Sequence, residues 1–199
     1  MPMSETEFLI GRSGLDLQDD FYPDDLPSDW RFDYYSAMFQ TLSLPIDTDE
    51  DLDQIFEDIE STDEEFELVL SIKQAQLLDI EQLQLLLKNV APYKTKFILF
   101  CELTQKPSAK VMTTLSGYQL CFQSLESLGL ELKETQVNEK ILSFNHYPVL
   151  YSSEAWNEKQ MRAYLEEVSS INTKTILICK YAESEALNKI RIIADLLGF

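Results

Sequence analysis

The stretch from Phe8 to Asp47 limits the fold more than any other part of the chain. It runs FLIGRSG, DDFYPDDLPSDW, RFDYYSAMFQ and TLSLPID. The first segment is short, apolar and ends in glycine, as a buried strand does where the backbone turns. A proline-rich loop follows, then a segment with Phe32, Tyr35, Met38 and Phe39 at helical spacing behind Ser28 as N-cap, then a second apolar strand. A helical crossover between neighbouring strands leaves them parallel, so this step predicts an α/β protein.

The same alternation continues. Thr48, with Asp51 three residues on, opens a second helix with Leu52, Ile55, Phe56 and Ile59 on one stripe. FELVLSIK is strand three, and Asp79 with Gln82 caps a helix carrying Ile80, Leu83, Leu87 and Val90 inward until Pro92. KFILFCEL, YQLCFQ, ELKETQV and ILSFNHY supply strands four to seven, with SAKVMTTL as a short helix after the fourth. Then come the helix SSEAWNEKQMRAYLEEVSS, with Trp156, Met161, Tyr164, Leu165 and Val168 inward, and strand eight, KTILICKY. A last helix places Ala186, Ile190, Ile193, Ala194 and Leu197 on one face. Eight strands alternating with helices predict a β/α barrel with parallel strands, as one domain over residues 1–199. Such barrels take about 250 residues, so 199 predicts a compact or incomplete TIM-type barrel, shortened between strands four and seven. An open doubly wound sheet is the alternative, but strand one leads into no Gly-rich phosphate fingerprint.

Charge and cysteine usage narrow the function classes. The net charge of -19 opposes the phosphate field of nucleic acid and of anionic membranes, so neither is expected as a partner. No apolar run reaches the roughly 20 residues of a membrane span, and MPMSETEF carries acid where a signal peptide carries base. A cytoplasmic protein is the expectation. Cys101, Cys121 and Cys179 sit in apolar stretches with no C-x-x-C spacing, which reads as buried thiols in a reducing compartment. Asp47, Asp49, Asp51 and Asp53 resemble the start of a calcium loop, but its glycine position holds Leu52 and its twelfth holds Asp58. A solvated acidic helix start is the better reading, and no metal or cofactor is implied.

Several short motifs resemble the bacterial and archaeal TIM-barrel family catalogued as domain of unknown function seventy-two. Gly11, Arg12, Ser13 and Gly14 look like its Gly-Thr-Ser-Gly turn, and Phe21-Tyr22-Pro23, Leu26-Pro27 and Tyr34-Tyr35 stand in its order. Lys73 matches a lysine usual after strand three, and TILICKY between two helices resembles the closing unit. The departures lie where the family carries polar groups. Leu15 replaces an aromatic, and Leu42-Ser43-Leu44-Pro45 replaces Val-Glu-Ile-Asn. Glu-x-Arg falls on Leu120 and Phe122, and Arg-x-His-Gly on Ser143 and Asn145 unless a one-residue slip brings in His146. The paired asparagines become Lys180 and Tyr181.

Barrel enzymes place their chemistry at the carboxyl ends of strands, and apolar residues there imply a site no longer used. The resemblance thus implies a non-catalytic binding or scaffold module with a degenerate site, its mouth plugged by Leu44, Leu120, Phe122 and Phe144. Arg12 and Ser13 in the first turn are the candidate anchors for a small anionic ligand. The competing hypothesis is a metal-assisted or acid–base enzyme acting on a small polar, sugar- or phosphate-like substrate at the carboxyl face. Its candidate catalytic residues are Lys73, Glu102, Glu134 and His146, the single histidine. A protein partner with a basic surface suits the acidic second helix, but charge alone identifies none.

Overall fold

The computed structural model describes residues 6–154, 157–169 and 174–199. In chain order the elements are β1 (Glu7–Ser13), α1 (Arg31–Ser36), β2 (Thr41–Pro45), α2 (Leu52–Ser61), β3 (Glu67–Ser71), α3 (Gln74–Leu78), α4 (Ile80–Val90) and β4 (Phe97–Glu102). They continue with α5 (Ala109–Thr114), β5 (Gln119–Ser124), β6 (Lys133–Val137), β7 (Lys140–Phe144), β8 (Val149–Ser152), α6 (Glu158–Ser169), β9 (Lys174–Cys179) and α7 (Ser184–Leu197). The backbone divides into two compact units: Met1–Ser43, Glu64–Phe66 and Leu150–Phe199 form one, and Leu44–Asp63 with Glu67–Val149 the other.

In the first unit β1 lies between β2 and β9 and pairs with both in parallel, as a buried strand should. Arg12 stands opposite Leu42 and Gly11 opposite Ile178. Alternation along β1 sends Phe8, Ile10 and Arg12 to one face and Leu9, Gly11 and Ser13 to the other. Phe8 meets the ring of Phe199 beyond α7 at 5.4 Å, so the Arg12 face is the helix-covered one. Tyr35 of α1, fully buried, accepts the backbone N–H of Arg12 at 3.1 Å and donates to the Thr41 carbonyl at 2.9 Å. Farther along the chain, Glu183 accepts the N–H groups of Gln18 and Asp19, and Asp19 accepts from Ser184 and from the N–H of Glu185. The β1–α1 loop is thereby tied to the start of α7.

Three local expectations change here. A 3-10 turn, Ser28–Trp30, precedes α1; Ser28 bonds to Asp29 rather than capping a helix, and Met38 is exposed beyond the last helical turn. The residues ahead of α6 form the strand β8, where the sequence pattern assigns no strand and gives only Ser152 to the helix start. Leu187 rather than Ala186 is the buried residue of the first turn of α7. Trp156 lies outside the described residues.

The second unit carries β3, β4 and β5 in parallel, with α2, α3, α4 and α5 between strands. Caps follow the chemistry of the sequence: Asp79 accepts from Glu81 and Gln82 N–H, and Ser108 from Val111 N–H. Asp51, not Thr48, caps α2 through Gln54 N–H. Phe56 stacks on Tyr93 at 4.2 Å and approaches Phe97 at 6.1 Å, which marks the Phe97 face as helix-covered.

The expectation of parallel strands throughout fails at the hairpin. β7 pairs antiparallel with both β5 and β6. The cause is local: Val137 pairs with Lys140, leaving a two-residue turn in which Asn138 takes a positive φ of 52°. No parallel crossover fits in two residues. Asn145 then locks the hairpin to β5, its Oδ1 accepting Leu120 N–H at 2.7 Å and its Nδ2 donating to the Tyr118 carbonyl at 2.9 Å.

Two substitutions test these contacts. A Cβ at Gly11 overlaps the Thr41 carbonyl oxygen and lies 2.8 Å from its carbon. Gly11→Ala is therefore expected to cost about 3 kcal/mol in urea unfolding, the upper part of the overpacking range. Asn145→Ala removes two hydrogen bonds at an exposed position and is expected to cost about 1–2 kcal/mol in the same assay.

Candidate functional site

In the second unit the pairing register decides which candidate residues share a surface. Leu99 stands beside Leu120 and Cys101 beside Phe122, in line with Phe97 on the helix-covered face. Leu120 and Phe122 therefore pack under the helices and do not plug a mouth, although both are buried. Phe144 stands beside Cys121 and looks to the opposite face, so the expected apolar plug is not one cluster. The residues of β4 and β5 that share this opposite face are Ile98, Phe100, Glu102, Gln119, Cys121 and Gln123, one position away from the alignment suggested by the family pattern.

The four catalytic candidates separate on the same grounds. Glu102 stands beside Gln123 at the carboxyl end of β4. Glu134 stands beside Ser143, which stands beside Phe122, so its carboxylate lies on the helix-covered side. There it accepts from Ser127 Oγ at 2.8 and 3.0 Å and from Ser143 Oγ at 3.3 Å. His146 is exposed and sits against Tyr147, two residues past Phe144. Because β7 runs against β5, this places His146 beside the amino end of β5, about four residues or ~13 Å along the strand from the Glu102 level.

Lys73 does share the Glu102 rim. It is exposed, its backbone N–H donates to Gln76 Oε1 at 3.1 Å, and the next residue, Gln74, binds Thr104 by side chain and backbone at 2.6–3.1 Å. The structure thus brings Lys73 and Glu102 to one rim and leaves Glu134 and His146 elsewhere. Among the described residues no three His, Cys, Asp or Glu side chains are grouped to hold a metal ion. Three of the four acids of the calcium-like run serve separate contacts: Asp47 accepts from Gln76, Asp51 caps α2, and Asp53 accepts from the Tyr93 hydroxyl.

In the first unit Arg12 and Ser13 are successive strand residues and face opposite ways. Ser13 stands beside Ser43, whose Oγ is hydrogen-bonded to the Tyr151 hydroxyl, and both partners are buried. Tyr151 is not marked by the sequence because β8 is not; the short apolar run Val149-Leu150-Tyr151 after Pro148 is its available signal. Lys180, two residues past Ile178, is half-buried, with Nζ 5.6 Å from the Tyr181 ring.

Arg12 is only 7% exposed, and its Nε and Nη1 have no hydrogen-bond partner among the described residues. Around its strand position stand Tyr35, whose hydroxyl burial pushes well above the usual tyrosine range, and Cys179, whose thiol burial pushes up to about 12. Both stay neutral at physiological pH. Nearby, α6 and α7 enclose a cavity of about 500 Å³ with Met161, Cys179, Ala182, Ala186 and Ile190 in its wall and Asp19 and Glu183 at its edge. Burial pushes Asp19 upward, but hydrogen bonds from Ser184 and the backbone of Glu185 outweigh it and hold the carboxyl below its ordinary value.

No protein-family model matches the sequence, and no curated protein matches it. The fold is similar to the crystal structure of a DUF72 family protein from Thermotoga maritima, with a TM-score of 0.57 and 15% identity, covering 96% of this chain and 98% of that one. The chain is DUF72-like in fold, which is what a likeness at this identity carries.

The thiols give a direct test. Burial pushes Cys101, Cys121 and Cys179 each up to about 12, leaving almost no thiolate at neutral pH. Iodoacetamide at pH 7.5 is expected to label none of the three in the folded protein and all three in urea, as read by mass spectrometry.

Proposed function

We propose that this protein is a small-molecule binding or scaffold module, non-catalytic, built as one incomplete TIM-type barrel over residues 1–199 and working in the cytoplasm. Neither nucleic acid nor membrane is its partner, consistent with the charge of -19 and with no described helix long and apolar enough to cross a membrane. The observation that supports this reading best is the dispersal of the reactive groups. Glu102 and Glu134 lie on opposite faces of one sheet, and His146 lies beside the wrong end of β5. General acid–base catalysis requires its groups within hydrogen-bond reach of one substrate. Arg12, rather than Ser13 on the other face, is the ligand anchor in this reading.

The second reading, an acid–base enzyme acting on a small polar, sugar- or phosphate-like substrate, is favoured by one feature. Lys73 and Glu102 occupy the same rim, with their loops joined through Gln74 and Thr104. One experiment separates the two. Sugars and sugar phosphates are incubated with wild type, Lys73→Met and Glu102→Gln, with and without Mg²⁺, Mn²⁺ or Zn²⁺. The binding-module reading expects no turnover in any variant and no change in thermal midpoint from the metals. Turnover lost at least 100-fold in Glu102→Gln would establish the enzyme.

A further inference from the structure

We propose that Arg12 is the counter-charge for a small-molecule oxyanion, a carboxylate or phosphate borne on a flat apolar body, bound beside the aromatic cluster of the β1–α1 loop. The inference rests on the binding-module reading and names its ligand class.

An arginine cannot be neutralised by losing its proton in a protein, so a buried guanidinium keeps its charge and needs a partner. Arg12 has none among the described residues: Nε and Nη1 are buried without a hydrogen bond, and it enters no ion pair. The groups around it do not supply the missing charge. Tyr35 uses its hydroxyl on Arg12 N–H and the Thr41 carbonyl and stays protonated. Asp19, the carboxylate of the same loop, turns its Oδ2 to Ser184 and Glu185. Its Oδ1 is buried without a hydrogen bond among the described residues, and no ion pair joins it to Arg12. An uncompensated buried charge is among the costlier arrangements in a fold, and a bound anion would relieve it.

A second observation indicates the rest of the ligand. Phe21, Tyr22, Tyr34, Tyr35 and Phe39 form one aromatic cluster with centroid separations of 4.8–6.4 Å. Three of the chain's four arginines border it. Besides Arg12 against Tyr35, Arg31 lies 5.4 Å from the Tyr22 centroid and Arg191 lies 6.0 Å from that of Phe39. Tyr34 is exposed and Phe21 and Tyr22 are half-buried, so ring surface remains for stacking. A protein of charge -19 repels anions at long range, but salt screens that field beyond about 8 Å. Local guanidinium groups therefore decide the outcome at contact.

The test uses thermal shift on the full chain at constant chloride, with benzoate, phenyl phosphate, acetate and inorganic phosphate as probes and benzamide as the uncharged control. Benzoate or phenyl phosphate, tenfold above its Kd, is expected to raise the wild-type midpoint by about 3–6 °C. Which of the two is stronger assigns carboxylate or phosphate. Benzamide is expected to do nothing, and Arg12→Met to lose the shift while Arg12→Lys keeps part of it. Without ligand, Arg12→Met is expected to melt at or above the wild-type midpoint, because it removes an unpaired buried charge. The proposal is overturned if no oxyanion shifts wild type, if Arg12→Met responds like wild type, or if unliganded Arg12→Met melts several degrees lower. Failure of the binding-module reading shows separately, as turnover abolished in Glu102→Gln.

Discussion

A parallel ladder between β1 and β2 calls for the N–H of Arg12 to meet the carbonyl of Thr41, and here the Tyr35 hydroxyl stands between them, accepting from one and donating to the other. One phenol thus satisfies two buried backbone groups that would each be costly alone. It also seats α1 on the sheet and fixes where β1 can go next. Gly11, one residue earlier, approaches Thr41 so closely that no side chain fits. The direction of the Arg12 side chain, toward the helices, follows from this local geometry.

The second unit answers to a different constraint. A two-residue turn at Asn138 reverses the chain, and every residue of β7 beyond it is carried toward the amino end of β5. In a parallel barrel the positions after strand seven would join the reactive rim. Here the reversal sends His146 away from that rim. The distance between His146 and Glu102 is therefore a matter of strand direction.

Much of this was legible from residues alone. Apolar runs such as FILFCE and TILICK, and the cap Asp79, place strands and helices close to where they stand. The parallel pairing of β1 with β2 followed from the helix between them. Strand direction at β6 and β7 was harder to read, because the turn VNEK lacks the glycine that usually marks a hairpin. Facing was missed at β5, where the apolar LCF run offers no alternation and only the register with β4 shows which way Leu120 and Phe122 point. The isolation of Arg12 was not readable at all. It depends on what the fold omits to place around a charge.

The tie between the β1–α1 loop and the start of α7 joins residues 165 positions apart in sequence, Gln18 and Glu183. During synthesis β1 leaves the ribosome long before β9 exists to pair with it, while β3, β4 and β5 find their neighbours within a few tens of residues. The nascent chain must carry β1 with one edge unpaired for most of its elongation, although β2 can cover the other edge early. An open strand edge is where self-association competes with folding. The segment between Asp47 and Glu67, synthesised soon after β1, carries no Lys or Arg, and like charge of this kind opposes association.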